Sequence, residues 1–256
     1  MEQQIENAIQ WIKDLHTEEY NVRGCITGSC LLGYFPDSNQ DVDVFLYDDN
    51  SFRNIYYAMF FNPMFQLLDP LEKWKFEQEI NDVKDFKKRG LITIKFTYNN
   101  SVPVNIILKK DCVNIYSVIS TFDMNIIAKG YDLATKQPLD LSGAEPGNKI
   151  VTWNRWNTSF DNPKLWRIDR ILRQLDRVFK YHRRGYNTDA MVYKYIEIID
   201  WLQKYQNIFD SEVFTERLRV TKLNTRIIKK VCLEWLSTHE ITIEAQDLIK
   251  QKIKEI

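Results

Sequence analysis

Apolar residues Ile5, Ala8, Ile9, Ile12 and Leu15 recur every three or four positions at the start of the chain, with Glu, Gln and Lys between them. That spacing predicts an amphipathic helix over residues 2–15. Residues 22–27 (VRGCIT) form a short β-branched run that suits a strand. Gly28-Ser29 then breaks it before the small apolar stretch Cys30 to Phe35, which fits one or two helical turns. After Pro36-Asp37-Ser38-Asn39 the segment Asp41 to Tyr47 alternates acid and apolar residues, as a half-buried strand does. Residues 50–61 and 69–89 read as helices, the second closed by Gly90 behind Lys87, Lys88 and Arg89. Leu91–Tyr98 and Val102–Leu108 flank Asn99-Asn100-Ser101 and predict a hairpin. A short helix near 113–119 and a further strand over Phe122–Ala128 follow.

Residues 132–162 hold Pro138, Gly143, Pro146 and Gly147 with little periodicity and read as a connection. From Asn162-Pro163 the pattern changes to long helices. Asn162 suits a cap, Pro163 the first helical position and Gly185 the stop. The expected architecture is α+β: a mixed-sheet domain over residues 1–135, a connection over 136–162 and a helical domain over 163–256.

Composition adds limits rather than identity. A chain of 256 residues that is 44% hydrophobic can bury a full core without a disulfide or metal staple. The cysteines Cys25, Cys30, Cys112 and Cys232 lack CxxC spacing, and three histidines make a histidine-rich zinc site a poor fit. No apolar run approaches the ~20 residues that span a bilayer. The first fifteen residues read as a mature helix and not a signal peptide, so the expectation is reduced thiols and a cytoplasmic protein.

Net charge is zero, yet residues 151–256 carry 20 Lys/Arg against 14 Asp/Glu, so the N-terminal part is acidic and the C-terminal part basic. Eight basic residues and two acids fall within 164–184, where Arg170, Arg173 and Arg177 recur along one side of the expected helix. Such a stripe suits a phosphate-bearing partner. It equally suits a solvated face paired with Asp169 and Asp176. Trp153, Trp156 and Trp166 fit packing at a domain junction better than base stacking.

Candidate chemistry concentrates in Gly28-Ser29-x(11)-Asp41-Val42-Asp43. A glycine lets backbone amides approach a phosphate, a helix beginning near Ser29 would add unpaired N–H groups, and the Ser29 hydroxyl can add a hydrogen bond. Carboxylates at i and i+2 of a strand project from one face, the arrangement that shares magnesium.

These residues, with the order of elements over roughly 1–130, resemble the nucleotidyltransferase superfamily of DNA polymerase beta, CCA-adding enzymes, poly(A) polymerases and antibiotic nucleotidyltransferases. The resemblance implies Gly28 and Ser29 as triphosphate contacts, Asp41 and Asp43 as ligands of Mg2+ or Mn2+, and a nucleoside triphosphate (NTP) as substrate. It also implies a basic helical domain, including Arg170, Arg173 and Arg177, that meets the triphosphate or RNA. The superfamily usually has a third carboxylate on a later strand, but the matching position here is Asn105, and an amide is no general base and a poor metal ligand. Asp123, on the next expected strand, is the candidate replacement; Asp111 is weaker because Lys109-Lys110-Asp111 reads as a solvated turn. The activity implied is metal-dependent transfer of a nucleoside monophosphate from an NTP to a hydroxyl, an RNA 3′ end being favoured, with release of pyrophosphate. The alternative is a non-catalytic nucleotide- or RNA-binding protein with a degenerate site. A third reading is a structural or partner-binding protein in which Asp-x-Asp is accidental.

Overall fold

The computed structural model describes residues 1–15, 21–36, 40–68, 90–143, 147–157, 177–178, 180–192 and 194. The chain divides into two compact units, the first Met1–Pro146 with Asn154–Asn157, the second Gly147–Trp153 with Thr158–Ile256.

The first unit is built on a seven-stranded mixed sheet. Its elements are helix α1 (Glu2–Asp14), strand β1 (Gly24–Thr27), a 3₁₀ turn (Ser29–Leu32), β2 (Val42–Leu46), α2 (Asp49–Phe60) and β3 (Phe65–Leu67). There follow β4 (Leu91–Tyr98), β5 (Val102–Lys109), α3 (Ile115–Ile119), a second 3₁₀ turn (Asn125–Ile127), β6 (Lys129–Asp132) and β7 (Pro138–Asp140). Spatial order is β3-β4-β5-β2-β1-β6-β7. Among the described strands of the sheet only β2 and β5 run parallel, with Asp43 beside Asn105; every other neighbouring pair is antiparallel.

The alternation anticipated along the strands sorts the sheet into two faces. Val42, Val44 and Leu46 of β2, Ile92, Ile94 and Phe96 of β4, and Val104, Ile106 and Leu108 of β5 are buried in one core with Ile5, Ala8 and Ile12 of α1 and Phe52, Ile55 and Met59 of α2. Burial of that apolar area is the main stabilising term. Asp48 caps α2 by accepting from Ser51 N at 2.7 Å. The hairpin turns through Asn99 and Asn100, both at positive φ, with Ser101 N donating to Tyr98 O at 3.1 Å. That type I′ geometry explains the Asn-Asn pair.

Among the described residues, the opposite face is covered at one end. Cys25, Phe45 and Tyr47 pack with Cys112, Ile115, Val118, Ile119 and Phe122 around α3. Gly130 makes this close approach possible: a Cβ there would lie 2.9 Å from Ile115 Cδ1. The returning segment at Asn154–Asn157 ties down the carbonyls after α3, with Asn154 Nδ2 donating to Ile119 O at 3.1 Å and Phe122 O at 3.0 Å, and Asn157 Nδ2 to Thr121 O at 2.9 Å. Trp156 packs within this unit against Tyr116, ring centroids 5.9 Å apart.

Three expectations change. Residues 122–128 are not a strand: Asn125–Ile127 form a 3₁₀ turn, and because polar Asp123 and Asn125 are buried along with Met124, Ile126, Ile127 and Ala128, the segment has no solvent-facing side for a strand's alternation to mark. The strand begins at Lys129 and pairs with β1, not β5. The stretch read as connection contributes β7, paired with β6.

In the second unit residues 180–183 are helical and end as anticipated at Gly185, whose φ is +79°. Gly185 N donates to His182 O at 2.8 Å and Tyr186 N to Tyr181 O at 3.2 Å, a Schellman cap. The expected helix over 69–89, Trp166, most of the helix from Pro163 and the helices beyond residue 194 lie outside the described residues. Among the described residues no helix is long and apolar enough to cross a membrane.

Candidate active site

The other end of that sheet face carries the candidate chemistry. Thr27 of β1, Asp43 of β2 and Asn105 of β5 stand in register across three adjacent strands, with Lys95 of β4 next in the row. Residues directly opposite in a sheet share a face, so this row presents one surface. Asp41 precedes β2 by one residue and faces the same point. The side-chain amide of Asn105 donates to Asp41 Oδ2 at 3.0 Å and to Asp43 Oδ1 at 2.8 Å. Asp41 and Asp43 are half-buried, and hydrogen bonds to ionised acceptors are among the stronger ones.

Gly28 closes the other side. Its φ of +90° and ψ of −159° lie in a region that essentially only glycine occupies, and a Cβ there would be 3.1 Å from Asp43 Oδ2. The loop therefore runs hard against the acid pair because residue 28 has no side chain. The anticipated helix after Ser29 is only a four-residue 3₁₀ turn, so it brings little of a helix dipole to an anion. What the turn does is bury Ser29 and Cys30 beside the acids. Burial, with the charges of Asp43 and Asp41 adding to it, pushes the Cys30 thiol up to about 12, so it stays neutral.

Sequence reasoning missed Gln40. It is 3% exposed and its amide staples the loop from within. Nε2 donates to Ser29 O at 3.1 Å and to Gly33 O at 2.7 Å, while Oε1 accepts from Phe35 N at 2.9 Å. Three backbone groups of a loop without regular structure need partners, and that requirement is the only signal that pointed to it.

Of the other expected site residues, Asp123 is buried and its carbonyl accepts from Asn154 N at 2.9 Å. It lies between α3 and the second 3₁₀ turn, and the strand after it is separated from β5 by β1 and β2. Among the described residues no three His, Cys, Asp or Glu side chains gather as a metal-holding group, so Asp123 does not form one with Asp41 and Asp43. Asp111 stands exposed at positive φ in the turn after β5. Arg177 is exposed in the second unit; Arg170 and Arg173 lie outside the described residues.

No protein-family model matches the sequence, and no curated protein matches it significantly. Solved structures do match the fold. A CCA-adding enzyme in complex with ATP is 16% identical with a TM-score of 0.50 over 100% of this chain and 59% of its own. A Thermotoga maritima CCA-adding enzyme complexed with tRNA is 14% identical with a TM-score of 0.45 over 99% of this chain and 60% of its own. The chain thus spans about three fifths of the length of these proteins, and its likeness to the ATP-complexed CCA-adding enzyme is one of fold.

Proposed function

We propose that this protein is a divalent-metal-dependent nucleotidyltransferase that moves a nucleoside monophosphate from an NTP to a hydroxyl, with release of pyrophosphate. The observation that carries this reading is the convergence of Asp41 and Asp43 on one point, 3.0 Å and 2.8 Å from a single amide nitrogen, with Gly28 packed against Asp43. Two carboxylates converging on one point offer the hard oxygen ligands that Mg2+ or Mn2+ take. Thr27, opposite Asp43, adds a buried hydroxyl oxygen that has no partner among the described residues.

In this reading Asp41 and Asp43 hold the cation. Gly28 admits the triphosphate to the loop backbone, and Ser29 adds a hydroxyl contact. Gln40 keeps that loop in shape. A bound divalent cation supplies charge stabilisation to the leaving pyrophosphate and lowers the proton affinity of the attacking oxygen. The favoured acceptor is an RNA 3′ end, supported by the CCA-adding likeness in fold and the basic character of residues 164–184, with Arg170, Arg173 and Arg177 as the phosphate contacts. Incubation with each α-labelled NTP, Mg2+ or Mn2+ and total RNA tests this: label in RNA supports it, and label in a small molecule or protein moves the acceptor class.

A second reading, nucleotide binding without turnover, is favoured by Asn105 standing where the superfamily places a third carboxylate. It predicts NTP binding with no pyrophosphate released.

A further inference from the structure

Asn105 contacts both acids at once, and an amide is a chemically two-ended group. Its NH2 end donates and its Oδ1 end accepts, and exchanging them takes a half-turn about one side-chain bond with almost no change in shape. Between two carboxylates only the NH2 end is favourable, which is the orientation observed, 3.0 Å from Asp41 Oδ2 and 2.8 Å from Asp43 Oδ1. Beside a cation the preference inverts, because an N–H dipole repels positive charge and a carbonyl oxygen attracts it.

We propose that Asn105 is a switchable ligand of the site: its NH2 group holds Asp41 and Asp43 together while the cation is away, and its Oδ1 becomes the third protein oxygen when the cation is held. This rests on the metal-dependent reading above. The first state offsets the repulsion between two like charges without a third acid, which a third carboxylate would worsen. The second state adds a neutral oxygen where an aspartate would add a charge. The site therefore binds a free cation weakly and fills best together with the triphosphate, whose own oxygens complete the shell. The β2–β5 register supports it, since Asn105 lies directly beside Asp43.

Mn2+ binding to the full chain, followed by loss of the free-ion paramagnetic resonance signal with and without a non-hydrolysable NTP, reads this without turnover. Asn105→Leu keeps the shape and removes both ends of the amide; Asn105→Asp restores a charged ligand. Removal of one oxygen ligand weakens Mn2+ binding by about tenfold in Asn105→Leu, and the added charge tightens it by a similar factor in Asn105→Asp. Asn105→Leu binding as tightly as wild type, or more tightly, overturns the proposal, because the amide would then only compete with the cation. A second measurement needs no variant of uncertain folding. In wild type, Mg2+ with the nucleotide must shift the Asn105 side-chain NH2 resonances and speed their exchange with water as they leave the carboxylates, and unmoved resonances overturn the proposal. Wild type that binds no Mn2+ under any of these conditions removes the metal-dependent reading itself, and the proposal with it.

Discussion

Gln40→Met isolates what the loop staple contributes. Methionine matches the length of glutamine and fills the same space, but it forfeits donors to Ser29 O and Gly33 O and the acceptor for Phe35 N. Each net hydrogen bond contributes about 0.5–1.5 kcal/mol, and buried groups left unpaired cost about 1–3 kcal/mol. The loop carbonyls regain some water once released, so a total near ~3 kcal/mol is the reasonable scale. That corresponds to about a hundredfold rise in the open population of the loop, since ~1.4 kcal/mol is a factor of ten. Amide exchange at Phe35 reads that opening directly, and it should accelerate by about two orders of magnitude while amides of β5 keep their protection. Nucleotide affinity should fall in parallel, because Ser29 is held through its carbonyl. Unchanged Phe35 exchange in a folded Gln40→Met protein would refute the staple, and changed exchange with unchanged nucleotide affinity would detach the loop from binding.

The remaining predictions concern the same cleft. Gly28→Ala forces a side chain into a glycine-only backbone region at a cost of about 1–3 kcal/mol, seen as a lowered melting temperature, and it presses on Asp43, so Mn2+ affinity drops as well. Ser29→Ala weakens NTP binding by about 1 kcal/mol, the scale of one hydrogen bond; equal affinity in a calorimetric titration would reduce Ser29 to a buried turn residue. Asp123→Asn leaves Mn2+ affinity within about twofold of wild type, since Asp123 forms no metal-holding group with Asp41 and Asp43; a loss on the tenfold scale of a metal ligand would return it to the site.

Much of the first unit was legible because its signals are local. The helical spacing of Ile5, Ala8 and Ile12, the alternation along β4 and β5 and the Asn-Asn turn each act within a few residues. Asp41 and Asp43 were legible for the same reason, as an i, i+2 pair. What escaped was set by contacts distant in sequence. Whether Met124 to Ala128 forms a strand depends on how α3 and Asn154 surround it, and its burial masks any alternation. β3 and β7, three residues each, are too short to show a period. The position of Asn105 drew notice through resemblance alone. Its double contact with the acids needs the parallel β2–β5 register, which no local pattern encodes.

The central claim is that Asp41 and Asp43 form a working metal centre for nucleotidyl transfer. Its most direct test is pyrophosphate release by the full chain, with each NTP, Mg2+ or Mn2+ and total RNA, for wild type against Asp41→Ala and Asp43→Ala proteins whose melting curves confirm that they fold. The account predicts release by wild type in a metal-dependent manner and none above background from either variant. Equal release by wild type and both variants, or none from wild type with any NTP, would contradict it.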